Sequence, residues 1–500
     1  MLSLLLAAAL TSPADASAFY FVDTGTKGLS RVGAFVAGAD DLTAQHYNPA
    51  ALINIDGPQV FVDVSAFHQS VSFTRKDYDP DTGELIKTWD EVTNSAAPMI
   101  IPALGFGHDF GLDDAYFAIG VWTPVAPSLS FPAKGAQHYS LTESLTWQIW
   151  GGPSAAYRFF DMITVGGGIA WTLVRAEESL SMMVCQDPDP FSGTVEPCTP
   201  EYAEDAPPPE ENDVNSSVKA WDKASLTGNI GILIEPTDWL RIGASAIPPL
   251  NVKATGTLDM SLEEDHWLLG KSGYDILASG DATDEQVTVL LTMPWVLRYG
   301  VAVNPTPDVQ VELAGGFQGW SATKEIRVTD INLVLPDNPD NALVEGDQSI
   351  TDDVVLPAGY KDAWSVRLAA DADVTDFLSV RGGVFYETSA VPTSALNVAL
   401  VDGNKFGFGL GGSGIIADRL AIDVGFVQSF LGTQEVTDSD VHRLDSPVDF
   451  NLALEGAPLT IINGEVVGNG TYKSSTTMGS IGLTYMFGRQ GDKGGDTAVD

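Results

Sequence analysis

GLSRVGAFVAGADDLTAQHYNPAAL, residues Gly28–Leu52, is the stretch on which the fold turns. It is rich in glycine and alanine, carries the adjacent acids Asp40 and Asp41, and closes on the triplet Asn48-Pro49-Ala50. Small side chains suit a segment packed tightly into a confined space. An apolar leader precedes it and a long strand-like run follows. The stretch therefore reads as part of a plug, residues 19–56, and residues 57–487 as the wall of a closed barrel around it.

The wall shows one recurring pattern. Two alternating segments meet at a short turn rich in Asp, Asn and Pro, at His108–Asp114, Phe159–Met162, Glu235–Trp239, Asn304–Asp308, Asp373–Asp376 and Ala417–Arg419. Longer polar connections separate these pairs, near residues 72–98, 125–140, 183–220, 261–287, 328–361, 391–404 and 432–471. Six short turns and seven long connections give fourteen strands, an even number that puts both chain ends on one side. Tight turns at one rim and long loops at the other are the asymmetry of an outer-membrane barrel.

Period two is legible within the strands. In Leu420–Phe430, Leu420, Ile422, Val424 and Phe426 point one way, and Ala421, Asp423, Gly425 and Ser429 the other. Leu297, Tyr299 and Val301 alternate with Arg298, and Val311 and Leu313 with Gln310 and Glu312. An apolar outer face in a membrane requires that no backbone edge stay unpaired, so the sheet must close. Trp122, Trp171, Trp221, Trp295, Trp320 and Trp364 lie near the loop ends of strands and are expected in an interfacial girdle. The alternative is a soluble sandwich or solenoid, which such asymmetric connections fit poorly. The last strand, Thr476–Phe487, ends in an aromatic residue. Residues 488–500 follow it and read as a disordered periplasmic tail.

Composition bounds the rest. The formal charge is −42, with 67 acidic against 25 basic residues, which excludes a nucleic-acid partner. A hydrophobic fraction of 44% excludes a disordered acidic chain. Residues 1–18 read as a signal peptide, with Leu2–Leu10 as apolar core and small residues for cleavage, though without a basic leader end. Its apolar core is too short to span a bilayer as a helix, which needs about 20 residues. Cys185 and Cys198 share one polar stretch. In an oxidising compartment they read as a local loop disulfide, the alternative being two unpaired thiols. The segment from Cys185 to Asp213 carries nine acidic residues and no Lys or Arg, and reads as extended and solvated.

The residues Gly28–Arg31, Gly33-Ala34-Phe35-Val36-Ala37-Gly38-Ala39-Asp40-Asp41 and Asn48-Pro49-Ala50, in this order, resemble the FadL family of outer-membrane transporters for long-chain fatty acids and other hydrophobic compounds. The resemblance implies an all-β protein, a 14-stranded antiparallel transmembrane barrel with an N-terminal hatch in its lumen. It implies passive transport in a Gram-negative outer membrane. The ligand would pass the hatch and leave sideways through a gap in the third strand beside the Asn-Pro-Ala triplet. On that reading Phe19, Phe21, Val22, Asn48, Pro49 and Ala50 line the passage. Phe117, Gly120, Trp122 and Pro124 form the gap strand, where Gly120 admits a kink and Pro124 lacks a ladder donor. The expected partners are a hydrophobic small molecule, membrane lipid and lipopolysaccharide, with the barrel acting as a monomer. A family-typical cation for a carboxylate could be Arg158, Arg298, Arg367 or Arg381, and the sequence does not choose among them.

Enzyme readings fail on motif. There is no HExxH, Walker A loop or GxSxG, and the six histidines have no ligand spacing, so neither a metal nor a cofactor is expected. Gly407, Gly409 and Gly412 satisfy GxGxxG but lie in an alternating strand rather than at a strand-to-helix turn. The competing functions are a non-specific porin, which a plug would obstruct, and a surface-binding protein that uses its acidic loops.

Overall fold

A computed structural model describes residues 23–186, 197–203, 209–262, 266, 286–329, 333–335, 348–350, 354–357, 359–448 and 462–487. The expected signal peptide and C-terminal tail lie outside them. The wall strands are β1 (Gln59–Tyr78), β2 (Met99–His108), β3 (Ala115–Val125), β4 (Glu143–Phe159), β5 (Ile163–Gln186), β6 (Asp213–Thr237) and β7 (Leu240–Ile247, resuming as Leu250–Leu262). They continue as β8 (Gln286–Met293 and Trp295–Thr306), β9 (Val309–Gly319 and Glu325–Thr329) and β10 (Val354–Pro357 and Ala363–Thr375). β11 (Leu378–Glu387), β12 (Lys405–Ile416), β13 (Leu420–Leu431 and Gln434–Val436) and β14 (Gly470–Met486) complete the wall.

Each strand pairs antiparallel with its sequence neighbours, and β14 returns to β1 in register from Gln59↔Met486 to Arg75↔Gly470. The sheet is thus a closed fourteen-stranded barrel. Closure satisfies the backbone groups that lipid cannot. Among the described residues no helix is long and apolar enough to cross a membrane. The expected short turns all lie at the rim that carries Gln59 and Met486.

Alternation sorts the two faces. Val62, Val64, Tyr299, Leu313, Val424 and Ile481 are exposed on the outside, while Asp63, Ser65, Arg298, Glu312, Asp423 and Ser480 are buried on the inside. The aromatic girdle expectation needs correction. Trp171 and Trp364 are exposed, but Trp122 and Trp320 are buried on the lumen side. Counting by two from the exposed Phe117 puts Trp122 on the inner face.

Residues 24–39 and 42–52 are almost wholly buried within the wall. They form α1 (Thr26–Ser30), α2 (Ala44–Tyr47) and a 3-10 helix, Pro49–Asn54. Asn48 caps that helix by accepting from Ala50 N at 3.1 Å, with Pro49 at its first position, where no N–H is needed. Between α1 and α2 the chain reverses through Val32 and Gly33, both at positive φ.

Candidate transport path

Glu312 seats the N-terminal segment. Its Oε1 accepts from Val36 N at 2.7 Å and Ala37 N at 2.9 Å, and its Oε2 from Gly38 N at 3.0 Å. Successive amides aimed at one carboxylate form an anion nest. The Arg31 guanidinium lies 2.9 Å from the same carboxylate and 2.6 Å from Asp371. Asp63 accepts from Thr26 N at 2.6 Å. Arg367 donates to Val32 O at 2.6 Å and pairs with Glu387 at 3.0 Å. Arg298 donates to His46 O at 3.0 Å, and Arg381 pairs with Asp371 at 2.9 Å and Asp423 at 3.2 Å. Arg158 pairs with Glu235 at 3.1 Å near the turn rim. All four arginines singled out from the sequence are therefore engaged. Asp40 pairs with Lys27 at 3.1 Å, and Asp41 accepts from Thr43 N at 2.8 Å.

The Asn-Pro-Ala triplet is held against β5 and β6. Asn48 Nδ2 donates to Val36 O at 2.9 Å and to Ile232 O of β6 at 3.1 Å. A Cβ on Gly231 would lie 2.0 Å from Asn48 Oδ1, and one on Gly166 of β5 would lie 2.3 Å from Ala50 N. Glycine at both positions lets the triplet lie directly on the β5–β6 backbone. Gln45, whose amide fills the space over Gly120, and His46, whose ring lies 6.3 Å from that of Trp122, approach β3 from α2. The sequence reading named neither, because no motif marks them; both belong to α2, directly before the triplet. Phe19, Phe21 and Val22 lie outside the described residues.

The third strand parts from the second. β2 and β3 pair only from Leu104↔Val121 to His108↔Phe117. Beyond Leu104, β2 continues to pair with β1, up to Phe67↔Met99. Beyond Val121, β3 follows β4, with an irregularity between Trp122↔Trp150 and Val125↔Gln148 that leaves one extra residue on β3. That extra residue is a β-bulge, and Pro124 within it has no N–H to offer the β2 side. Phe117 is exposed to the outside, and Gly120, Trp122 and Pro124 are buried. Above the seam Leu29, Phe67, Ile101, Ala126 and Met478 form an apolar cluster reaching from the N-terminal segment to the wall. Outside and below it, Val60, Val62, Leu104, Phe106, Ile119 and Val121 line a groove of about 350 Å³.

At the loop rim the long connections are tied together. Cys185 and Cys198 form a disulfide. Arg75 pairs with Asp77 at 2.8 Å, Glu201 at 2.5 Å and Glu465 at 3.1 Å. Arg443 pairs with Asp445 at 2.5 Å and Glu465 at 2.8 Å. His138 stands with Nδ1 2.7 Å from Gly135 O and Nε2 3.2 Å from Asp213. Burial opposes the imidazolium, but Asp213 and Glu201 beside it outweigh burial and raise the His138 pKa. The solvated reading of the segment from Cys185 to Asp213 is thus corrected at Cys185, Cys198 and Asp213, which are buried in this cap.

A closed wall that is apolar outside and polar inside, with its lumen filled by its own leading segment, defines a plugged outer-membrane β-barrel. The chain belongs to the family of outer membrane transport proteins described as OMPP1/FadL/TodX, whose profile matches residues 7–461. It is accordingly a transporter of hydrophobic compounds in the outer membrane. In fold it is similar to a Pseudomonas aeruginosa FadL homologue, with a TM-score of 0.70, 16% identity, and 94% of this chain and 99% of that one covered. It is also similar to the toluene transporter TodX of Pseudomonas putida, at 0.58, 14%, 94% and 99%. The toluene transporter TbuX of Ralstonia pickettii matches at 0.59, 15%, 93% and 99%. A comparison with curated protein sequences gives no match.

Proposed function

We propose that the chain passes hydrophobic molecules inward from the loop rim and releases them sideways into the membrane between β2 and β3. The observation that carries this reading is the end of β2–β3 pairing at Leu104↔Val121, beside a bulged β3. A lipophile gains roughly 0.8 kcal/mol for each CH₂ kept out of water. A route along the apolar cluster of Phe67, Ile101 and Met478 to the lipid face therefore costs less than an aqueous one down the axis. The axis is also obstructed, because the segment seated on Glu312 and Arg367 fills it. A porin reading has no such support.

Long-chain fatty acids and neutral hydrocarbons both fall within this class. Neutral ligands are favoured, because Arg298, Arg367 and Arg381 are already engaged with carboxylates or carbonyls. A ligand carboxylate would have to displace one of these partners. The test is to delete Thr123, which removes the extra β3 residue and lets β3 continue in register. Uptake of a labelled hydrocarbon by cells is expected to fall at least tenfold while the folded barrel is retained. Undiminished uptake with the bulge removed would refute lateral release.

A further inference from the structure

The lumen side of the seam carries polar groups that the transport reading does not use. Trp122 and Trp150 are cross-strand partners, 7% and 4% exposed, and neither indole Nε1 has a hydrogen-bond partner among the described residues. Buried indole N–H groups ordinarily find an acceptor. Two buried amide oxygens, on residues within two positions in the chain of Trp150 and His46, share the condition. They are Gln148 Oε1, two positions before Trp150 on the same face, and Oε1 of Gln45, the residue over Gly120. Gln45 is not merely misoriented, because its Nε2 already donates to Leu42 O at 3.1 Å. The indoles border a cavity of about 10 Å³, with His46, Ser154, Gly168 and Asn229. That is room for one oxygen-sized group, about one water.

We infer that Trp122 and Trp150, flanked by Gln45 and Gln148, form a head-group site selecting neutral lipophiles that carry a hydroxyl group. The inference rests on the hydrophobic-transport reading and narrows its ligand class. A hydroxyl both accepts and donates, so it answers an indole N–H and an amide oxygen together. A hydrocarbon leaves all four atoms unanswered. A carboxylate only accepts, and would face the two amide oxygens. The tail would lie along the apolar cluster that begins at Ala126, one residue beyond β3.

The full chain in lipid nanodiscs, labelled with ¹⁵N at the indoles, provides the test, with 1-decanol, decane and decanoate as probes. 1-Decanol is expected to bind at least 5-fold more tightly than decane or decanoate, and to shift the Nε1–H signals of Trp122 and Trp150. Trp122→Phe and Trp150→Phe keep the ring and lose the donor. Each is expected to weaken 1-decanol about 5-fold, the equivalent of ~1 kcal/mol for one hydrogen bond, and to leave decane unchanged. Equal affinities for the three probes, or indole signals unmoved at saturation, would overturn the site and leave water as the partner of these groups. Weakening of all probes together by either variant would also overturn it, as a packing effect. Failure of cells to take up both hydrocarbon and alkanol would instead remove the transport reading, and the nanodisc measurement does not depend on it.

Discussion

Glu312 holds the lumen segment through three backbone amides and one guanidinium, with its carboxylate fully buried. Removing one member of a buried, hydrogen-bonded charge pair costs about 3–5 kcal/mol, because the partners are left without compensation. Glu312→Ala is therefore expected to release residues 33–40 while the wall stays folded. Hydrogen exchange reads this directly: the amides of Val36, Ala37 and Gly38 should lose protection by at least two orders of magnitude, with those of β12 and β13 unaffected. Val32 shows a second side of the same seat. It holds a β-branched residue at φ 50°, a conformation that costs roughly 1–2 kcal/mol, and Arg367 grips its carbonyl at 2.6 Å. Arg367→Met is expected to let this turn relax, visible as faster exchange at Gly33 and Ala34.

Among the elements, β3 and the outer cap behave differently. β3 was legible from its sequence as a short strand with a glycine and a proline near its end. Its inward Trp122 was also recoverable by parity. The position of the Asn-Pro-Ala triplet was not, because it depends on Gly166 and Gly231, which only the closed wall brings beneath it. The wall strands could be read because lipid on one face and lumen on the other impose period two. The cap could not, because its ion pairs join groups hundreds of positions apart, as Arg75 with Glu465. Its pH dependence follows from His138, both of whose ring nitrogens face acceptors, so the imidazolium is the form that fits. Its pKa is raised in the folded cap. The associated stability is therefore fully present below about pH 6.5, the ordinary histidine value, and is lost as pH rises through the raised one. Limited proteolysis near residues 197–203 is expected to be slower at pH 5.5 than at pH 8.5, and His138→Gln should abolish that difference. Reducing the Cys185–Cys198 disulfide is expected to speed the same cleavage at both pH values, since a loop of about 15 residues is constrained by roughly 3 kcal/mol.

For the whole molecule, the question is which part seals it. The wall closes on itself through backbone pairing between wall strands, from β1 round to β14, and among the described residues no backbone hydrogen bond joins a wall strand to the lumen segment. The lumen segment in turn meets the wall mainly through side chains of inward-facing residues such as Asp63, Arg298, Glu312 and Arg367. These two facts separate structure from sealing. Deleting residues 23–55 is expected to leave a folded barrel, now lined by charged groups that water would solvate. In planar bilayers the full chain is expected to pass no large steady current, and the deletion variant to pass an ohmic one. A large ohmic current from the full chain would contradict the plugged-transporter reading and restore the porin. Silence from the deletion variant would move the seal to the outer cap, where opening the Arg443 network with Arg443→Ala should then release the current.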